Sequence, residues 1–454
     1  MASASLKRSR TAGSTKTKFT LSMWFKRSST DAKYLISNYT DDSNRALVQF
    51  GGANNFIFQS KYSGSNTAQI ETNRLFRDTS AWYHIVLIGD STLATAADRT
   101  KLYVNGVRET SFSAETQISQ NGDYYFNEAT TNGFRVGEKG DGSDFFDGCM
   151  SHVVFLDGVA AAYTDFGSFD STTGIWKPNT SPSVTYGTNG FFLKFDNSAN
   201  MGLDSSGNSN NLTTSGPIIQ VKDTPTNVFC TMNPLDNFYQ NSSFTNVNNS
   251  IGTAGSARSY NTGTLGVSTG KYYFEVKCVS SVTASNGCFI GIASTNATNN
   301  GVSSQQTLGY KQYDYGFSSS TGNINTNNSQ SSYGTSYGDN DIIGVAMDLD
   351  NNKLYFHKNG TYENSGVPTS GSTGTGAVSI QAASGTVNGF YTPSVGDWWT
   401  SGFNVAFNFG NGYFGTTAVT SAQSPDDGEG IFEYDVPAGY RAICTKSINA
   451  EEYS

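Results

Sequence analysis

Charged residues are scarce in this chain. Lys, Arg, Asp and Glu make up 14% of its 454 residues, against the roughly 25% usual in globular proteins. Disorder through charge repulsion is nonetheless excluded, because 36% of the residues are hydrophobic and 13% aromatic. No run approaches the roughly 18 consecutive apolar residues that a membrane span needs. Spacing at 3.6 residues is nearly absent while Gly and β-branched residues occur throughout, which excludes a helical bundle. Prolines number nine and histidines three. The five cysteines, Cys149, Cys230, Cys278, Cys288 and Cys444, are an odd count without a C-x-x-C pair. They argue against a disulfide framework or a zinc site and for buried thiols in a reducing compartment. What is plentiful is Gly (49), Phe (30) and Tyr (25). A turn-rich all-β protein remains, long enough for two or three domains at roughly 150 residues each.

The net charge is −9, and it is unevenly spread. Residues 1–18 hold Lys7, Arg8, Arg10, Lys16 and Lys18 without an acid, so a basic N-terminal arm of +5 precedes a body of −14. An acidic body disfavours nucleic acid as a partner, because phosphate binding needs a basic surface. The arm is expected to anchor the molecule on an acidic partner or on nucleic acid, or else to be a solvated terminus. It lacks the apolar stretch of a secretory signal, so synthesis in a host cytoplasm is expected.

Phe19, Leu21, Met23 and Phe25 alternate with Thr20, Ser22, Trp24 and Lys26, the period of a strand. Further strands are expected at 34–37, 47–50, 55–59, 82–88, 102–104, 150–156 and 190–195. Asn105-Gly106 marks a hairpin, since both central residues of its turn need positive φ. A polar stretch, 196–216, closes a first sandwich over 19–216. Pro217, Pro225 and Pro234 then read as an extended connector, 217–236. A second sandwich, 237–454, has expected strands at 271–279, 288–293, 341–349, 353–357, 403–409 and 431–436. Its runs 318–340 and 364–376 read as long surface loops. Lys101–Gly106 and Lys353–Gly360 echo each other, each following an apolar strand and ending in a glycine turn.

The pieces FTLSMWFKR (19–27), AWYHIVLIGD (81–90), KLYVNGV (101–107) and FFDGCMSHVVFLDGVA (145–160) resemble the laminin-G or concanavalin-A-like lectin/glucanase superfamily. In the second half, GKYYFEVK (270–277), CFIGIAS (288–294), YGF (315–317), DIIGVAMDLDNNKLYFHKNG (341–360) and VAFNFGNGYF (405–414) are similar to a SPRY domain. Between and after them, TTGIWKPN (172–179), DSSGNSNN (204–211), DTPTNVFCTMNPLD (223–236) and VPAGYRAICTKSIN (436–449) resemble structural proteins of tailed phages. The resemblance implies two antiparallel β-sandwich (jelly-roll) domains in tandem, which present surfaces through end loops or a concave sheet.

Catalytic signatures are weak. Gly266-Val-Ser-Thr-Gly270 and Gly334-Thr-Ser-Tyr-Gly338 fit G-x-S-x-G, but a nucleophile elbow needs a strand before and a helix after. The first leads into a strand and the second lies in a polar loop. His84, His152 and His357 form no metal or triad spacing. No strand carries the alternating carboxylates of a glycosidase. Asp348-x-Asp350-x-Asn352 imitates an EF-hand start, but Lys353 stands where glycine is required. For metal, Asp141, Ser143, Asp144 and Asp147 supply hard oxygens within a glycine-rich loop, which suits calcium. For ligand, Tyr310, Tyr313, Tyr315, Tyr333 and Tyr337 crowd among Asn, Gln and Ser, and Trp398-Trp399 follows; such residues suit a glycan or protein surface.

The expectation is therefore a non-enzymatic virion component: tail fibre, appendage or head-decoration protein. It would be a homo-oligomer, for instance a trimer, touching capsid, portal or tail proteins and a host surface glycan or protein. Two rivals are a glycan-acting hydrolase of concanavalin-A-like fold and a cell-surface adhesion module.

Overall fold

Alternation decides the first sandwich. In the strand Lys18–Arg27, Phe19, Leu21, Met23 and Phe25 are fully buried on one face. There they meet Val48, Phe50, Phe56, Phe58 and Ile70 from a second sheet in one apolar core. The computed structural model describes residues 4–11, 15–130, 132–237, 242–253, 258–282, 287–294, 306–397 and 402–452. Within it the chain divides into two compact units, Met1–Gln220 and Val221–Ser454.

The first unit is a two-sheet sandwich. Its eight-stranded sheet runs, in spatial order, Phe112–Thr116, Ser65–Leu75, Asn55–Tyr62, Asn44–Phe50, Tyr34–Asp41, Phe134–Val136, Ser5–Arg8 and Thr213–Ser215. Its six-stranded sheet runs Phe191–Leu193, Gly148–Asp157, Lys18–Arg27, Tyr83–Asp90, Thr100–Val104 and Val107–Arg108. The expected hairpin forms at Asn105-Gly106, with φ of 48° and 77°. In Gly148–Asp157 the register shifts between Ser151 and Val154, around His152 at φ 48°. This bulge moves the core-facing set onto Val153 and Phe155.

The second unit repeats the two-layer plan. Seven strands, Met232–Asn237, Tyr260–Gly263, Thr392–Asp397, Cys288–Ala293, Tyr315–Ser318, Asn323–Thr326 and Ser329–Ser332, form one sheet. The other runs Ser242–Thr245, Ser250–Thr253, Asn404–Asn408, Lys271–Ser280, Ile342–Asp348, Lys353–Lys358 and Thr361–Tyr362, with two short strands alongside. Phe274, Val276, Ile290, Phe317, Val345, Phe356 and Phe407 fill the space between. A helix, Thr445–Glu452, ends the described chain. The all-β class and the antiparallel tandem sandwiches are as the alternation implies; among the described residues the parallel pairings are a two-residue one, Tyr272–Tyr273 with Arg441–Ala442, and the isolated bridge Asn411–Ile431.

Four local expectations are corrected. Residues 5–8 are no free arm: they form a strand between two others, with Leu6 in the core. A single buried side chain and a continuous row of ladder bonds outweigh local charge. The connector is not isolated either. Phe229 and Cys230 are fully buried, and Met232–Asn237 pairs with Tyr260–Gly263, Pro234 standing on an edge strand. The run 318–340 contains the hairpin 323–332, turned by Asn327 and Asn328 at φ 49° and 55°. Residues 431–436 make isolated bridges rather than a strand, and lie as a strap over the outer face of Lys271–Ser280 and its neighbours.

Candidate functional site

The three histidines are the natural place to look for chemistry, and two of them are sealed under straps. On the outer face of the six-stranded sheet, His84 is 1% exposed. Residues 159–186 cover that face, with Phe166 and Tyr163 packed on Val86, Ile88 and Leu156. Trp176 Nε1 donates to His84 Nδ1 at 2.9 Å, so the imidazole proton sits on Nε2, which faces Ser22 Oγ at 2.8 Å. Trp24 stacks on the ring at 4.7 Å. Burial pushes this imidazole down to about 3, so it is neutral near pH 7.

His357 is held by the same logic. Gly360 N–H donates to its Nδ1, leaving Nε2–H to meet the Tyr273 hydroxyl at 2.6 Å. Tyr273 in turn donates to Glu275 Oε1 at 3.0 Å. Asn408, Glu275, Gly344 and His357 stand side by side in one row across four strands. Gly344 is required there, because a Cβ would lie 1.9 Å from His357 Nε2. The Glu275 carboxylate also accepts the main-chain N–H groups of Glu433 and Tyr434, at 2.9 and 2.8 Å, and so ties down the strap. Burial raises Glu275 to about 7 and lowers His357 to about 3. The row could relay a proton along His–Tyr–Glu, but its members are 0–1% exposed and spend their hydrogen bonds on main chain and one another.

The sequence-level candidates are placed as follows. Tyr337 is buried, its hydroxyl donating to the Phe317 carbonyl at 2.7 Å and its ring 5.1 Å from Phe317. Tyr333 lies against Phe356 and accepts its N–H; Tyr315 accepts the Gln381 N–H and packs on Tyr391. These three pack on the core, a correction to their reading as a loop platform: Tyr315 lies in a strand, and the segment after Ser332 folds back so that Tyr333 and Tyr337 lie against Phe356 and Phe317. Tyr310 and Tyr313 are half-buried, Tyr313 against the same core. Trp398 and Trp399 lie outside the described residues.

Asp141, Ser143, Asp144 and Asp147 do not assemble a calcium cage. Lys139 Nζ sits 2.8 Å from Asp141, and Ser143 Oγ donates to the same carboxylate at 2.6 Å. A lysine thus supplies the positive charge that a cation would bring. Asp147 contributes its carbonyl to Ser28 N–H. Among the described residues no group of three or more His, Cys, Asp and Glu side chains could hold a metal ion. Asp348 and Asp350 serve turns, accepting Asn351 N–H and Gly270 N–H. Ser268, in the first G-x-S-x-G, bonds Glu452 of the C-terminal helix and precedes a strand.

The basic set, expected as an anchor, is mostly used internally. Arg10 is buried with its guanidinium over Phe134 and Phe155, donating to the Phe126 carbonyl and 3.7 Å from Asp157. Arg8 donates to Asn210; Lys16 and Lys18 pair with Glu128 and Asp90. Lys7 alone of the five is exposed. The signal that was missed is the Leu6 and Arg10 spacing, which belongs to a strand and its continuation.

Residues 3–162 match the family described as the concanavalin A-like lectin/glucanases superfamily, and residues 271–384 match the SPRY domain. The chain carries a concanavalin A-like domain followed by a SPRY domain. Among solved structures it is similar to the SPRY domain of human HERC1, at 15% identity and TM-score 0.30, covering 39% of this chain and 96% of that one. It is also similar to a putative carbohydrate binding protein from Bacteroides ovatus, at 17% identity and TM-score 0.31, covering 48% of this chain and 57% of that one. A third is a pentraxin from Limulus polyphemus, at 16% identity and TM-score 0.26, covering 35% and 71%. No curated protein sequence matches the chain. No helix among the described residues is long and apolar enough to cross a membrane.

Proposed function

We propose that this chain is a non-catalytic recognition protein, carried on a tailed-phage particle and contacting a host-surface glycan or protein. One observation supports the first half of the reading above the others. Four titratable groups that burial shifts strongly, two histidines and two carboxyls, are sealed. His84 and His357 lie under straps, while Glu275 and Asp397, both raised to about 7 by burial, are spent on main-chain N–H groups. Ser, Thr, Asn, Gln and Gly make up most of what the SPRY domain offers to solvent between its strands, the chemistry of adaptable hydrogen bonding. Placement on a particle rests on the order of the two domains and on the phage-like segments between and after them.

Two experiments test this. Purified full-length protein is added to host envelope: binding without release of soluble sugar is expected, and release of sugar would favour the hydrolase. Mass spectrometry of purified particles is expected to find the chain in integral copy number, and finding none would overturn the virion assignment.

A further inference from the structure

The hairpin 323–332 exposes one sheet edge that no described residue covers. Its two-residue turn makes Thr326–Ser329 and Ile324–Ser331 the hydrogen-bonded pairs. The main-chain N–H and C=O groups of Gln330 and Ser332 therefore point away from the sheet. All four residues of Ser329–Ser332 are exposed, and no described residue bonds those outward groups. The edge is also held still. Asn327 and Asn328 N–H bond the carbonyls of Lys311 and Gly309, and Ile324 is anchored in the core.

Exposed edges are normally blunted by proline, charge, bulges or short length. The other edges of the four large sheets follow that rule among the described residues. Phe112–Thr116 has a register shift and Glu115; Thr213–Ser215 stops before Pro217; Met232–Asn237 carries Pro234 and an irregular register. Ser242 at the edge of Ser242–Thr245 has its N–H and carbonyl bonded by the Asn237 side chain. Phe192 is likewise bonded by Asp204 and Ser205. Val107–Arg108 and Thr361–Tyr362 are two residues long. Ser329–Ser332, four residues long, has no proline, charge or register shift, and no described residue bonds its outward groups.

Charge decides where a second copy can approach. The second unit holds nine Lys and Arg against seventeen Asp and Glu, so two copies carry like net charge and meet at least cost along an uncharged stretch. Residues 315–338 contain no charged side chain at all. We propose that two copies of this chain join edge to edge along Ser329–Ser332, about a two-fold axis at Ser331. In that register Gln330 of each copy pairs with Ser332 of the other, making four main-chain hydrogen bonds, and Ser331 faces Ser331. The contact is isologous and closes as a dimer, unlike the trimer expected from the sequence.

The test uses the full chain. Light scattering is expected to give twice the monomer mass. Ser331→Lys sets two ammonium groups face to face and is expected to weaken self-association at least tenfold, with the circular dichroism spectrum unchanged because the side chain is exposed. Ser331→Cys is expected to form a disulfide-linked dimer on mild oxidation, since opposed residues at a non-hydrogen-bonded pair lie about 4.5 Å apart at Cα, within disulfide reach. Asn328→Cys, about 20 Å from its mate in this register at 3.4 Å per residue, is expected not to. The native cysteines are buried and do not compete. A monomer in which both cysteine variants cross-link equally slowly would overturn the proposal. So would a dimer untouched by Ser331→Lys, which would place the contact elsewhere.

Discussion

Trp176 donates its indole N–H to His84 Nδ1 at 2.9 Å, joining a strap residue to the strand it covers, 92 positions earlier. The indole also lies on Gly106, where a Cβ would come within 2.3 Å of the ring. In the SPRY domain Tyr434 stands edge-on to His357 at 5.2 Å and over Gly360. Both sandwiches thus close one outer sheet face with an aromatic strap resting on a glycine turn and a neutral histidine. The Lys101–Gly106 and Lys353–Gly360 echo in the sequence has this structural counterpart.

Trp176→Phe keeps most of the apolar contact and removes the donor, leaving buried Nδ1 unpaired. A destabilisation of about 1–3 kcal/mol is expected, read by denaturant unfolding. A loss indistinguishable from zero would mean that the imidazole simply turns to another donor.

Gly106→Ala combines the positive φ of 77° with the collision against Trp176. Overpacking of this kind costs about 1–3 kcal/mol. Gly64→Ala, also at positive φ but 3.9 Å from its nearest neighbour, isolates the backbone part. The first substitution is expected to cost more than the second.

Acid should act unequally on the two domains. His84 is held near 3 when folded, against roughly 6.5 unfolded, so the unfolded form binds more protons between those values. Its contribution is present above pH 6.5 and is lost as pH falls towards 3. Glu275 and Asp397, raised to about 7, act in the opposite sense. Their folded forms bind more protons from pH 7 down to the ordinary carboxylate range, which offsets His357 in the SPRY domain. Hydrogen exchange read by mass spectrometry at pH 7 and 4.5 is expected to show protection falling more in the first domain. Equal loss in both would contradict the balance.

Removal of residues 1–10 takes out an internal strand, the Leu6 side chain and the Arg10 guanidinium beside Asp157. The truncated protein is expected to lose protease resistance in the first domain. An intact, equally resistant domain would restore the free arm read from charge alone.

Calcium and chelator are expected to leave the melting temperature unchanged, because Lys139 already neutralises Asp141. Lys139→Gln is the variant in which a calcium-dependent shift would first show.

The period-two alternation of Phe19–Phe25 and Tyr272–Cys278, the Asn-Gly turns and the near-absence of helical spacing determine two β-sandwiches from the sequence, because strand faces and turn φ values are local properties. Tyr315, Tyr333 and Tyr337 could not be assigned that way, since composition says neither which side of a strand faces the core nor that the segment carrying Tyr333 and Tyr337 folds back onto Phe356 and Phe317. The inward turn of Arg8 and Arg10, the strap over Glu275 and the bond from Trp176 to His84 were decided only by the tertiary structure. Each depends on a partner tens to hundreds of residues away, and hydrogen bonds and burial at such separations leave no periodic trace along the chain.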